Sequence, residues 1–367
     1  MFNLQLFQSK VDTVFKTASP DGYRYIICQG ETILSSGSGG FTRTAIDPPM
    51  LPANITDRFN VASMSKTITA ATLLSLLQHK NLGVDTLVAP FLPTNWVLHP
   101  TVKTLTFRDF LTHRTGFNEA TDRSDFAGIK LSLEQGPPNP PKVNFDYRNI
   151  NFAIFRILIP ILNTYNRITK KVQFLVLDSK NEEAAYAAAY VRIVNERVLE
   201  PSGVPPADCN SNCISPPSAG RPKPKTSVLL YEYKNPPNQH GVDYALGDRY
   251  LFSGAEGWAL SVVDFSRFLQ TLLFTEIIIS VTNRNIMLSN QPGARLGLGC
   301  YMDPPVAGSP IFSHGGWIPS GKVQIASWWM YLSTRQLVVV ALSNAGHNPN
   351  VPNWFDSVKI AYEEASK

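Results

Sequence analysis

The stretch that decides how this chain is read is Asp57-Arg58-Phe59-Asn60-Val61-Ala62-Ser63-Met64-Ser65-Lys66. From Ala62 to about His79 the apolar residues Ile68, Leu73, Leu74 and Leu77 recur at helical spacing, so a helix begins inside it. Ser63 and Lys66 stand three apart on that helix, which puts hydroxyl and amine on one face, where they can meet. Lys66 is the one lysine of the chain with a serine three positions before it. Ser63 also falls at the helix start, where free backbone N–H groups and the macrodipole favour developing negative charge. To act as a base Lys66 must lose its proton. Its ordinary pKa of about 10.4 then has to fall through burial or a neighbouring positive charge. An N-cap serine with a surface lysine would leave the same spacing, so the pair gains meaning only from its neighbours.

Two further clusters supply them. In Tyr147-Arg148-Asn149 a phenol can relay a proton, and the amide two residues on can hold a substrate carbonyl and the lysine together. A competing Tyr233-Lys234-Asn235 sits in Pro-rich sequence, whereas Tyr147 directly precedes an apolar helix, as a residue held at a cleft edge should. Near the C-terminus, Phe312-Ser313-His314-Gly315-Gly316-Trp317 ends one strand beside another. Its paired glycines let backbone approach a substrate closely. The backbone N–H groups of Trp317 and Ser63 could then form an oxyanion hole.

Composition excludes several other classes. With 44% hydrophobic and 17% charged residues among 367, the chain is a globular protein rather than a disordered tail, coiled coil or collagen. The net charge of +5 is scattered, and its densest basic run, Arg221 to Lys225, alternates with prolines; no nucleic-acid partner is expected. The longest apolar candidate, Ile150 to Leu162, carries Asn151, Arg156 and Pro160, so no membrane span is expected. The start, Met1-Phe2-Asn3-Leu4-Gln5, lacks the basic-then-apolar order of an export leader. A soluble protein follows, either cytoplasmic or exported with its leader removed. Cys28 and Cys300 read as buried thiols, while Cys209 and Cys213 are close enough for a local disulfide. No histidine stands near them at metal-ligand spacing, and neither a metal nor an organic cofactor is expected. Gly316 to Lys322 matches a phosphate-loop spacing by chance: Val323 stands where a magnesium-binding hydroxyl is needed, and Pro319 removes a backbone donor.

Strand patterns lie at both ends and helices between them. Residues 1–20 read as a helix, then Tyr23–Gln29 and Glu31–Ser36 as a hairpin closing in a Gly37–Gly40 turn. Thr106 caps a short helix, Asp122 to Lys142 reads as a long surface loop, and Asn149–Leu162 and Glu182–Leu199 are helical. Pro201 to Asn238 is a Pro-rich excursion, and Asp264 caps a helix over Phe265–Phe274. Ile311–Ser313, Val323–Tyr331 and Gln336–Leu342 are strands, closed by a helix at Trp354–Ser366. The simplest packing is one α+β catalytic unit. An α/β lobe from about 1–62 and 280–367 carries an antiparallel sheet flanked by helices, and a mostly helical lobe spans about 63–279. A site is expected in the cleft between the lobes.

Taken in order, Ser-x-x-Lys at a helix start, Tyr-x-Asn, and a late His-Gly-Gly strand resemble the class C β-lactamase and penicillin-binding-protein-like serine hydrolases. That family includes β-lactamases, DD-peptidases, D-aminopeptidases and carboxylesterases. The resemblance spans nearly the whole chain. It takes in Leu82-Gly83-Val84-Asp85, Leu111-Thr112-His113-Arg114-Thr115-Gly116-Phe117, Leu199-Glu200-Pro201-Ser202-Gly203-Val204, Gly254-Ala255-Glu256-Gly257-Trp258 and Leu342-Ser343-Asn344. It implies a two-lobed β-lactamase-like fold and an acyl-enzyme on Ser63. Lys66 and Tyr147 would share activation of the serine and later of water, with the order between them open. Asn149, His314, Gly315 and Gly316 would bind substrate, and the N–H groups of Ser63 and Trp317 the oxyanion. His314 stands where lactamases and many DD-peptidases carry lysine. A histidine is largely neutral near pH 7, which favours an esterase or amidase over a β-lactamase. The substrate would be a small ester, amide or short peptide. Acyl or peptidyl transfer through the same serine, and a non-catalytic peptide-binding scaffold, are the alternatives.

Overall fold

The computed structural model describes residues 2–18, 22–174, 182–207, 209, 228–231, 240–241, 252–291, 295–320, 323–345 and 353–367. Helix α1 (Leu4–Ala18) leads into strands β1 (Gly22–Gln29), β2 (Thr32–Arg43), β3 (Leu51–Pro52) and β4 (Phe59–Asn60). The helical middle follows: α2 (Ser65–Lys80), α3 (Phe107–Leu111), α4 (Phe126–Gln135), α5 (Ile150–Ala153), α6 (Phe155–Thr164) and α7 (Glu182–Val194). After β5 (Ala259–Leu260), α8 (Val262–Phe274) and α9 (Val281–Met287) come β6 (Tyr301–Val306), β7 (Ser309–Ser320), β8 (Val323–Leu332), β9 (Leu337–Ser343) and α10 (Trp354–Ser366).

Both ends of the chain meet in one seven-stranded antiparallel sheet, ordered β3-β2-β1-β9-β8-β7-β6. The α+β architecture expected from the sequence is the one observed. The central strand β9 explains why: all seven of its residues are buried, and Leu337 to Leu342 form a continuous apolar run rather than an alternating one. Leu337, Val339 and Ala341 face a core shared with α1 and α10, where Phe15 stacks on Tyr25 at 4.6 Å. Val338, Val340 and Leu342 face the larger core that holds α2, α6 and α8. Each such side chain contributes about 1.5–3 kcal/mol by leaving water, so the sheet is clamped from both faces. A small second sheet, β4 with β5, ties the segment before Ser63 to the strand after Trp258.

Four expectations change. The hairpin does not close at Gly37–Gly40; β2 runs straight through the glycines to Arg43. The rings of Tyr25 and Tyr23 lie over Gly37 and Gly39, where a Cβ would stand 2.6 and 2.5 Å from ring carbons, so the glycines make room for aromatic packing and not for a turn. The supposed surface loop contains α4, whose N-cap Asp125 accepts from Gly128 N–H and whose Ile129 and Leu133 are buried; the prolines that suggested a loop begin only at Pro137. Asp264 is not the cap of α8. Ser261 is, and Asp264 answers it from the third helical position as the other half of a capping box. Finally, β7 extends well past Ser313, and Tyr301–Val306 adds an unforeseen edge strand despite Pro304 and Pro305, which an edge tolerates.

Cys28 and Cys300 are buried, and burial pushes their thiols up to about 11 and about 12. Cys213, Tyr233-Lys234-Asn235 and most of the Pro-rich excursion lie outside the described residues. Among the described residues no helix is long and apolar enough to cross a membrane.

Candidate active site

Ser63 occupies a single 3-10 turn, Ala62–Met64, that runs into α2. The turn is anchored on both sides. Val61 N–H donates to Trp258 O (2.8 Å), and Val61 O accepts from the Ser327 hydroxyl of β8 (2.7 Å). Ala62 is held at φ +49°, a conformation that an alanine adopts only when its surroundings impose it, and its N–H donates to Asn60 Oδ1 (2.8 Å). Ser63 is thereby presented, half-buried, at the mouth of a cleft.

One turn on, Lys66 is fully buried. Its Nζ lies 3.0 Å from Ser63 Oγ, 2.9 Å from Asn149 Oδ1 and 2.9 Å from Ala255 O. Two of these partners are carbonyl oxygens, which can only accept. A neutral amine donating to both therefore turns its lone pair toward Ser63. Burial disfavours the ammonium and brings its pKa down to about 7; the more distant fields of Glu256 and Asp122 oppose that fall.

Tyr147 and Asn149 come from the segment entering α5. Lys66 Nζ lies 4.9 Å from the Tyr147 ring centroid and 5.9 Å from that of Phe152. Burial raises the Tyr147 phenol well above its usual 10, partly offset by a hydrogen bond with the Ser63 side chain. The phenol is thus protonated near neutral pH. Beneath it sits His113, whose ring stacks on Tyr147 at 4.4 Å and 30°. His113 has φ +53°, and its Nδ1 receives the Arg148 N–H and faces the Asn151 amide, each at 3.2 Å. Asn151 Oδ1 in turn accepts from Thr115 (2.6 Å). Desolvation, then the positive fields near Lys66 and His314, holds the His113 imidazole neutral, well below its ordinary pKa.

The third cluster lies on β7. A Cβ on Gly316 would stand 2.4 Å from Ser327 Oγ, 2.7 Å from Val61 O and 2.8 Å from Ala62 Cβ, so only glycine lets this strand touch the Ser63 turn. At Gly315 the nearest such atom is 3.9 Å away. Strand β6 pairs with β7 only as far as Ser313, so from His314 onward that edge of β7 has no partner strand among the described residues. His314 is buried, with its ring 6.4 Å from Tyr147 and 5.2 Å from Tyr301. Its Nδ1 lies 2.7 Å from Gly315 O, the donor in the neutral ring. Burial and the Lys66 field bring its pKa down to about 3. Trp317 is 62% exposed at the rim. Ser63, Tyr147, Gly315, Gly316 and Trp317 line one cleft of about 600 Å³. All eight residues singled out from the sequence therefore lie in or around one place.

Residues 14–165, which include Ser63, Lys66, Tyr147 and Asn149, match the Beta-lactamase family. That match and the solved structures below liken the chain to β-lactamases and penicillin-binding-protein-like proteins. Solved structures agree in fold. The octameric penicillin-binding protein homologue from Pyrococcus abyssi superposes with a TM-score of 0.68 at 16% identity, covering 98% of this chain and 76% of that one. The D-amino acid amidase from Ochrobactrum anthropi SV3, complexed with L-phenylalanine amide, gives 0.68 at 17% identity over 99% and 97%. A D-stereospecific amidohydrolase from Streptomyces sp. gives 0.64 at 18% identity over 97% of each chain.

Within this penicillin-binding-protein-like fold, several neighbours of the site escaped the sequence reading. His113 was visible only as part of a landmark stretch, with no role attached. Ala255 contributes a backbone oxygen, which no side-chain pattern announces. Ser327 and Tyr301 come from strands whose register against the helix start is a long-range matter. Among the described residues no cluster of three or more histidine, cysteine or acidic side chains is arranged for a metal ion.

Proposed function

We propose that this protein is a serine hydrolase that cleaves a small ester or amide through an acyl-enzyme on Ser63. The observation that carries the reading is the Lys66 amine, buried and 3.0 Å from Ser63 Oγ with its remaining hydrogen-bond partners limited to acceptors. In this reading Ser63 Oγ attacks the substrate carbonyl carbon as its proton passes to Lys66 Nζ. The carbonyl π pair moves onto oxygen, where the N–H groups of Ser63 and Trp317 receive it. On collapse the leaving group departs with a proton supplied through the protonated Tyr147 phenol or the Lys66 ammonium. Water then attacks the acyl-enzyme by the reverse proton route and frees the acid. Asn149 holds Lys66 and the substrate carbonyl side, and β7 from His314 to Trp317 offers its unpaired edge to the acyl chain. The chain acts as one catalytic unit, its sheet lobe built from both ends and its helical lobe from the middle.

A pKa near 7 for Lys66 and one above 10 for Tyr147 favour the lysine as first base and the phenol as proton donor. The neutral His314 offers a substrate carboxylate no charge, which favours neutral esters and amides, or substrates bearing an amine, over β-lactams. The test is active-site labelling. A fluorophosphonate probe should modify Ser63, and p-nitrophenyl esters should turn over, both lost in Ser63→Ala. No labelling together with no ester turnover would leave a binding scaffold instead.

A further inference from the structure

Among the described residues one carboxylate lines the cleft, and the hydrolase reading leaves it without a task. Asp303 on β6 lines the same cavity as Ser63 and Tyr147. Its carboxylate accepts a hydrogen bond from the Ser313 hydroxyl across the β6–β7 pair. Among the described residues no cation lies within ion-pair distance of it. Lys359, whose field reaches Asp303, is committed elsewhere: its Nζ lies 3.1 Å from Asp356 Oδ1 and 4.7 Å from the centre of the Phe355 ring. Desolvation raises the Asp303 pKa, and the Asp356 charge adds to this; the Ser313 bond and Lys359 oppose it. A half-buried carboxylate without a counter-ion is an uncompensated cost unless something arrives to meet it.

What surrounds it is aromatic. Tyr301, Trp317, Trp328 and Phe355 line the cavity with Asp303. Trp328 is only 6% exposed and packs against Phe15 and Phe355. Ser63 and Asp303 border the same cavity. Gly316 faces the Ser63 turn, Ser313 and Gly315 lie on the other face of β7, and Gly315 has no side chain to divide the cavity.

We propose that Asp303 and the surrounding rings form a subsite for a cationic group, an ammonium or guanidinium, carried by the substrate whose carbonyl is presented to Ser63. The carboxylate supplies the counter-charge and the ring faces supply cation–π attraction. This rests on the hydrolase reading for the word substrate, but the subsite itself can be tested without turnover.

Calorimetry with benzylammonium and with benzyl alcohol, its uncharged counterpart, gives the direct readout. The cation should bind at least about tenfold more tightly, and Asp303→Asn, which keeps an acceptor for Ser313, should erase the difference. In the unmutated protein, benzylammonium binding should also weaken as pH falls through the raised Asp303 titration, while benzyl alcohol binding stays level. This second measurement holds even if the variant does not fold. In kinetics, the ratio of kcat/KM for p-nitrophenyl 6-aminohexanoate over p-nitrophenyl hexanoate should fall by about tenfold or more in Asp303→Asn. Equal binding of the charged and uncharged ligands, or an unchanged preference in the variant, overturns the subsite. An unlabelled Ser63 with intact, Asp303-dependent cation binding overturns the hydrolase reading and keeps the subsite.

Discussion

The imidazole of His113 stacks on the phenol of Tyr147 with ring centroids 4.4 Å apart, while its Nδ1 is occupied by the Arg148 N–H and the Asn151 amide. In the hydrolase reading His113 is a positioning residue that fixes the plane of the Tyr147 ring. Replacing it by Asn, a residue that tolerates positive φ, keeps the backbone and removes the stack. Ester turnover should fall about 10- to 100-fold, mainly in kcat. In a Tyr147→Phe background the same change should cost much less, because it acts through the phenol. Full additivity of the two variants would make His113 a purely structural residue.

Gly316 and Gly315 are neighbours with opposite surroundings, and their alanine variants should diverge. At Gly316 the new methyl collides with Val61 O and Ala62 Cβ, so β7 or the Ser63 turn must move. A displacement near 1 Å in such a site costs on the order of 100-fold in rate. At Gly315 the methyl meets nothing closer than 3.9 Å and points into the cleft, so labelling of Ser63 should persist. Gly316→Ala with unimpaired turnover would mean the strand does not need to touch the turn.

What could be read in the sequence follows the range of the interaction involved. Ser63 and Lys66 meet across one helical turn, so their spacing put them on one face, and the β-branched run Gln336–Leu342 announced a strand. The Lys66–Asn149 contact joins residues 83 positions apart, and only the order of motifs suggested it. Ala255 O, which completes the lysine's partners, is a backbone atom and carries no residue signature. At Gly37 and Gly39 the local cue pointed to a turn, but Tyr25 and Tyr23 packed across the strand pair and overrode it. Asp303, between Met302 and Pro304, carries no local signature; its position in the cleft depends on the β6–β7 register.

Lys66 sets the expected pH dependence. As a base it works deprotonated, so the rate of Ser63 acylation should rise with pH and level off above about 7. Lys66→Ala should lower turnover by several orders of magnitude with the fold intact. The same shift has a sign for stability. Between about 7 and the free-amine value the unfolded chain binds a proton that the native amine refuses, so this group makes the fold more stable as pH rises through that window. Denaturant midpoints of Lys66→Ala should lack that component of the slope. An acylation profile rising only near pH 10 would show the ammonium to be unperturbed.

His314 offers the sharpest test of why this site should prefer uncharged or amine-bearing substrates to carboxylates. Its pKa of about 3 keeps the ring neutral throughout the working range, so it contributes no second limb to the pH profile. His314→Lys would put an ammonium at a position already under the field of Lys66. Like charge disfavours the protonated form of both amines, so the Lys66 limb should move below about pH 7. A carboxylate on the ligand would relieve that repulsion and gain an ion pair, which neutral esters cannot do. Benzylpenicillin should therefore acylate Ser63 faster in the variant than in the parent, while p-nitrophenyl ester turnover at pH 8 gains nothing. His314→Gln, similar in size and uncharged, should leave both the limb and the penicillin rate where they were. If the lysine variant also leaves the limb in place, the charge at this strand position does not reach the reacting pair, and substrate preference must be set elsewhere in the cleft.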